Sequence, residues 1–284
     1  METLKDIVVI YHGQCKDGFG AAYAAWKKFH DTASYIPRKT QTEIPEGLTG
    51  KEIYILDYSY PKETLEALIS ANRSVTVIDH HETAREAVTS LPGNVFDLTH
   101  SGAVLAWNHF HPGTQTPRLL LYVEDQDLWK NQLPKTRAFG AALGEAPFTF
   151  EAWDHLAETL EDEASLAGFI ATGETIARFE EGLIERLLAF KEKVSFEGQS
   201  MYAINCSRLY RSILGHKLAT QNEREGGVGM AIVYYHYEGA FHCSLRSNGE
   251  VDVRAIAEKF GGGGHKNAAS FEVRDAAHLP FSFL

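Results

Sequence analysis

Cysteine is scarce in this chain: 284 residues carry only Cys15, Cys206 and Cys243, widely spaced. Three such thiols build no disulfide framework and fit a reducing compartment, so a cytoplasmic location is expected. No stretch approaches the ~20 consecutive apolar residues of a membrane-spanning helix. The first residues run straight into an apolar segment without a basic, then apolar leader, which argues against secretion. Basic runs are missing too. Lys and Arg number 27 against 38 Asp and Glu, a formal charge of -11. Long nucleic acids are held largely by counterion release at Lys/Arg patches, and neither such a patch nor a platform of aromatic and basic residues is present. A long nucleic acid and a membrane are therefore excluded as partners, and a short anionic substrate is favoured. Repeats and low-complexity segments are also absent. With 44% hydrophobic and 23% charged residues, the chain has the composition of a soluble enzyme and the length for two domains with real cores.

What stands out is where charge is placed. The β-branched run Ser74-Val75-Thr76-Val77-Ile78 reads as a buried strand and is followed at once by Asp79-His80-His81-Glu82. Burying such groups unpaired costs several kcal/mol, roughly, so the arrangement calls for an ion or a substrate. Two further apolar runs end similarly: residues 6–11 lead into His12-Gly13-Gln14-Cys15-Lys16-Asp17, and residues 52–56 into Asp57. A helical segment, Arg118 to Val123, delivers Glu124-Asp125-Gln126-Asp127-Leu128-Trp129. Gathered at the carboxyl edge of one sheet, where open α/β folds place their ligands, these groups offer two or three imidazoles and three or four carboxylates. That donor set suits Mn2+, Fe2+ or Zn2+. Two ions ~3.5–4 Å apart would share a bridging carboxylate and clamp an in-line displacement at phosphorus.

Far downstream lies Phe260-Gly261-Gly262-Gly263-Gly264-His265-Lys266-Asn267-Ala268-Ala269. Successive glycines permit positive φ and close approach, so their N–H groups can form an anion-binding nest. His265 and Lys266 add a donor and a positive charge, and Ala268-Ala269 could open a helix facing the anion. Upstream, residues 242–247 alternate like a strand, on which Arg246 is placed to grip a phosphate bidentately.

Both stretches together resemble the DHH-family phosphoesterases, the superfamily of RecJ-type exonucleases, oligoribonucleases, cyclic-dinucleotide hydrolases and inorganic polyphosphatases. Asp79-His80-His81 matches the family's Asp-His-His, and the glycine stretch is similar to the Gly-Gly-Gly-His…Ala-Ala signature of the DHH-associated C-terminal domain. The resemblance covers nearly the whole chain and implies roles residue by residue. His12, Asp17, Asp57 and His80 would hold metal, with Asp57 bridging two ions. Asp125 is preferred to Asp127 as the fourth-motif ligand, because Asp125 with Trp129 keeps the family's four-residue spacing to an aromatic. His81 would meet the phosphate, and Asp79 would orient a ligand imidazole. Arg246, Gly262, Gly263, Gly264 and His265 would bind substrate. The main departure is Cys15, which stands where the family has an Asp: it is either a soft ligand or a bystander. Glu124 reads as a solvated acidic neighbour.

The expected fold is α/β. A mostly parallel sheet flanked by helices occupies residues 1–172 and carries the metal-binding catalytic site. A connecting helix spans 173–195, on the amphipathic run Ile176, Phe179, Leu183, Leu187, Leu188, Phe190, with a dimer arm as the alternative. A smaller α/β substrate-binding domain occupies 196–284. Pro61 would open a helix, and Ser101 would cap another before Gly102. The expected activity is hydrolysis by metal-activated water, with two divalent cations, Mn2+ first and Mg2+, Co2+ or Fe2+ as alternatives. Short oligonucleotides or dinucleotides cut to mononucleotides are the leading substrates. Polyphosphate or another phosphoanhydride is the runner-up, and a silent nucleotide sensor is the non-enzymatic alternative.

Overall fold

The computed structural model describes residues 3–13, 15–38 and 44–284. They divide into two compact units, Met1–Ala177 and Arg178–Leu284.

The first unit is built on five parallel strands: β1 (Ile7–His12), β2 (Ala33–Arg38), β3 (Glu52–Leu56), β4 (Ser74–Asp79) and β5 (Val95–Phe96), in the order β2-β1-β3-β4-β5. Helices cover both faces, as parallel sheets require. Val8, Val9, Ile10, Ile53, Ile55 and Leu56 are fully buried, each worth ~1.5–3 kcal/mol relative to exposure. On one face lie α1 (Lys16–Phe29), α4 (Gly102–Phe110), α5 (Arg118–Asp127), α6 (Thr136–Gly144) and α7 (Phe150–Thr159), sharing a core with Trp107, Phe139 and Trp153. The alanines of α1 let α4 pack close against it: Ala21, Ala22, Ala24 and Ala25 are all 0% exposed. On the other face, the core under α2 (Lys62–Ala71) and α3 (Arg85–Thr89) contains Leu65, Leu68 and Val88. Pro61 is the N-cap of α2, and Ser101 caps α4, its hydroxyl accepting from Val104 N at 3.4 Å.

The division between units falls inside α8 (Glu163–Leu188), which begins ten residues earlier than the expected connecting helix. Residues 192–195, expected within that helix, belong to a strand that runs to Phe196 instead, because their alternating burial pairs them with the next strand. The second unit carries a seven-stranded sheet of β6 (Glu192–Phe196), β7 (Gln199–Asn205), β8 (Met230–Tyr237), β9 (Ala240–Ser247), β10 (Gly263–His265), β11 (Ala268–Val273) and β12 (Phe281–Phe283). Their order is β10-β11-β9-β8-β7-β6-β12, antiparallel except at β7-β8. That parallel pair needs a crossover, supplied by α9 (Arg211–Arg224), whose Leu214, Leu218 and Ala219 cover Ala231 and Val233. The opposite face is covered by α10 (Val253–Lys259), with Val253 and Ala257 on Cys243, Leu245, Ala269 and Phe271. Ala268 and Ala269 therefore open a strand, not the expected helix. The glycine stretch turns back through Lys266-Asn267 and pairs β10 with β11, and small residues there let α10 pack closely.

Candidate metal centre

Three adjacent strands end level with one another. Tyr11 stands opposite Leu56, and Leu56 opposite Ile78, so the residues just beyond emerge side by side at the carboxyl edge. Asp57 lies in the middle, at a φ of 60°. Its Oδ2 is 3.2 Å from His12 Nδ1, and its Oδ1 is 3.2 Å from His80 Nε2. The same His80 nitrogen lies 3.5 Å from Asp17 Oδ2 and 3.6 Å from Asp127 Oδ2. The ligand atoms of His12, Cys15 and Asp57 fall within 4.8 Å of one another, as do those of Asp17, His80 and Asp127, and those of Asp57, His80 and His81.

Each group has a local reason for its place. Asp17 sits in the first turn of α1 and accepts from Gly102 N at 2.7 Å and Ala103 N at 2.9 Å, at the amino end of α4, where helix dipoles favour an anion. Gly102 permits this approach: a Cβ there would stand 2.7 Å from the Asp57 side chain. Asp79 is buried, and its Oδ1 accepts from the main-chain N–H groups of His80 and His81 and lies 2.8 Å from His81 Nδ1. That contact fixes the His81 ring, whose side chain is 45% exposed, and raises its pKa.

The electrostatics call for cations. Burial pushes Asp17 well above the usual carboxylate range, and the neighbouring Asp57 and Asp127 push it further. Burial, then Asp57, also raises Asp127. Burial alone would raise Asp57, but the hydrogen bond from His12 and the adjacent His80 imidazole outweigh it and hold this carboxyl down. The bond to Asp57, assisted by Cys15, drives His12 up to about 10. Asp57 Oδ1 and His80 Nε2 are both buried and, though 3.2 Å apart, lack the alignment of a hydrogen bond. Buried carboxylates converging on imidazole nitrogens, with two such atoms unpartnered, fit divalent cations of the Mn2+ to Zn2+ type.

Asp125 stands outside this cluster. Its oxygens accept from Gln132 N at 2.8 Å, Leu133 N at 3.2 Å and the Thr136 hydroxyl, and so close the loop after α5. Asp127, two residues on and ~200° around the helix, is the one turned to His80, so the preference for Asp125 is corrected. A signal was available: Leu120, Val123 and Asp127 follow i, i+3, i+7, and Leu120 Cδ2 packs against Gly20 of α1. Glu124 is likewise no solvated neighbour. It is 8% exposed, accepts from Ser101 N at 3.0 Å, lies 3.0 Å from His100 Nδ1 and pairs with Lys130 Nζ at 2.7 Å. Trp129, at the expected aromatic position, is 84% exposed.

In the second unit, Arg246 donates through Nη1 to Leu245 O at 2.8 Å and through Nη2 to Ser212 Oγ at 3.1 Å. Burial, then the nearby Arg211, lowers its pKa. Gly261 and Gly262 line a cavity of about 280 Å³ with Arg211, Tyr235, His242 and Ser244. Of the glycines expected to bind an anion, Gly262 faces this space. Gly263 and Gly264 sit in the β10–β11 ladder, and His265 is exposed at its end. Arg211, unremarked in the sequence, lines the cavity because α9 begins there.

Comparison with known proteins bears on both units. Residues 194–281 match the DHHA1 domain. An uncharacterized protein of Acanthamoeba polyphaga mimivirus is 29% identical over 283 residues, covering 92% of this chain and 66% of that protein. The chain thus spans just under two thirds of the length of this relative. A pGpG-specific phosphodiesterase, PggH, from Vibrio cholerae has a similar fold, with a TM-score of 0.55 at 13% identity, covering 95% of this chain and 93% of that one. Residues 194–281 thus match the DHHA1 domain, and the chain as a whole shares its fold with this phosphodiesterase.

Proposed function

We propose that this chain is a two-metal phosphoesterase that hydrolyses short phosphorylated substrates, foremost short oligonucleotides or dinucleotides cut to mononucleotides. The observation that carries the reading is Asp57, a buried carboxylate whose two oxygens serve two sides, one at His12 and one at His80. When bound, two divalent cations would supply positive charge to the scissile phosphate and acidify water at neutral pH. His12 and Asp57 would hold one ion, and Asp17, His80 and Asp127 the other, with Asp57 shared. His81, its ring fixed by Asp79, presents its outer nitrogen to a non-bridging phosphate oxygen and donates a hydrogen bond there. Arg211 and Arg246 neutralise the remaining phosphate charge, aided by Gly262 and His265, and hold the substrate in place. The excess of acidic residues supports a short substrate over a threaded polymer, and the fold shared with a pGpG-specific enzyme supports a dinucleotide.

The test offers the Mn2+-loaded protein pGpG and a short polyphosphate in parallel and measures mononucleotide against orthophosphate. Mononucleotide release is expected. Orthophosphate from polyphosphate alone would move the chain to the phosphoanhydride hydrolases, and silence on both with metal bound would overturn the reading.

A further inference from the structure

Cys15 is the N-cap of α1, in extended conformation (φ -122, ψ 141), yet its side chain makes no capping hydrogen bond. Ser, Thr, Asp or Asn would serve that position better, so helix stability does not account for the thiol. Its sulfur instead lies within 4.8 Å of ligand atoms of both His12 and Asp57. Asp57 is 1% exposed, and its Oδ2 is the oxygen on this side, 3.2 Å from His12 Nδ1. Cys15 also lines a cavity of about 170 Å³ with Asp17 and Asp127, so its side chain borders the neighbouring carboxylate-rich position as well. His12, Cys15 and Asp57 thus offer a nitrogen, a sulfur and an oxygen within 4.8 Å of one another.

We infer that Cys15 is a metal ligand, a thiolate completing the half of the centre held by His12 and Asp57. The inference rests on the two-metal reading above and deepens it. The centre becomes asymmetric: a soft nitrogen, sulfur and oxygen position stands beside a hard one made by Asp17, His80 and Asp127. Softness decides occupancy. The thiolate position selects Zn2+, Fe2+ or Co2+, whereas the carboxylate-rich position accepts Mn2+ or Mg2+. Ligation forms a metal–sulfur bond and releases the thiol proton to water; no electron changes hands.

The experiment loads the whole chain with Co2+, counts bound metal and records the near-ultraviolet spectrum for sulfur-to-cobalt charge transfer. Wild type should show the band, and Cys15→Ser and Cys15→Asp should lose it. Both replacements are good N-caps, so α1 is retained. Cys15→Asp should keep its Mn2+ while its affinity for Cd2+ falls by at least the ~10–100-fold that losing a ligand's hydrogen-bond partner costs. Cobalt bound without the band, or a band that survives in Cys15→Asp, overturns thiolate ligation and leaves the hydrolase reading standing. A band without any phosphoester hydrolysis does the reverse. Failure to bind cobalt at all overturns both.

Discussion

Asp57 is held with φ at 60°, a region that costs most non-glycine residues energy and that Asp tolerates better than others. The strand it follows sets this turn, since Asp57 N still donates to Ile78 O at 2.9 Å. The side chain is thereby aimed between two imidazoles. Because its two oxygens serve both, Asp57→Ala and His80→Ala should each abolish turnover together with bound metal, as measured by elemental analysis. Asp127→Asn should lose metal while the fold persists. Asp125→Asn should retain metal but lower stability by ~1–3 kcal/mol in denaturant titration, because its oxygens close the loop after α5. The opposite pattern in the two Asn variants would return Asp125 to the centre. A further residue-scale test concerns Glu124. Burial pushes its carboxyl up, but Lys130, Ser101 N and His100 outweigh that and hold it below its ordinary value of 4.5. A carboxylate depressed in the folded chain stabilises it above the unfolded value, and that contribution is lost as pH falls through the folded value. Glu124→Gln should therefore lower Tm at pH 7, and the gap from wild type should close as the pH drops below 4.5. A gap constant with pH would mean that the charge is immaterial.

At the scale of elements, the amino end of α4 is the part on which the centre depends most. Its Gly102 and Ala103 N–H groups hold Asp17, and Gly102 lies against Asp57 so closely that a methyl group has no room. Gly102→Ala should displace Asp57 and weaken metal binding by ~10-fold or more, an effect of the size seen when a ligand's support is lost, with little change in circular dichroism. Unchanged affinity would show that Asp57 is held from elsewhere. Strands β1, β3 and β4 and their terminal charges were legible because a period of two and an abrupt switch to Asp and His survive in a linear reading. The cap at Ser101 was legible for the same local reason. The facing of α5 was missed: the spacing from Asp125 to Trp129 was followed, whereas the apolar stripe through Leu120 and Val123 sets the rotation of the helix. Glu124 was misjudged because its partners, His100 and Ser101, lie more than 20 residues away. The Ala268-Ala269 segment was misjudged because small residues serve a tightly covered strand as well as a helix.

For the whole molecule, the proposed function gives chemistry to one unit and substrate retention to the other. His265→Ala should mainly raise KM, and Arg246→Ala should do so more strongly, with metal content and kcat near wild type. A fall in kcat at unchanged KM for either variant would refute the division. The charge of -11 belongs to this scale too. A dinucleotide should be hydrolysed with higher kcat/KM than a long single strand, and affinity for the long strand should stay weak at low salt, where a basic groove would grip it. Tight, strongly salt-dependent binding of the long strand would contradict this. Among the described residues, no helix is long and apolar enough to cross a membrane.

By itself the sequence determined the class of fold, the strands that carry the centre and the chemical kind of their termini. These follow from short-range patterns: alternation within six residues, and charged groups at the next position. Parallel pairing then brings such ends to one edge whatever the loops do. Only the tertiary structure decided which of two neighbouring aspartates on α5 faces His80, and that Glu124 is buried between His100 and Lys130. It also decided that Cys15 lies beside His12 and Asp57. Those outcomes turn on helix rotation and on contacts between distant segments. Packing sets both, and the local sequence carries only a partial cue to it, the apolar stripe through Leu120 and Val123 on α5.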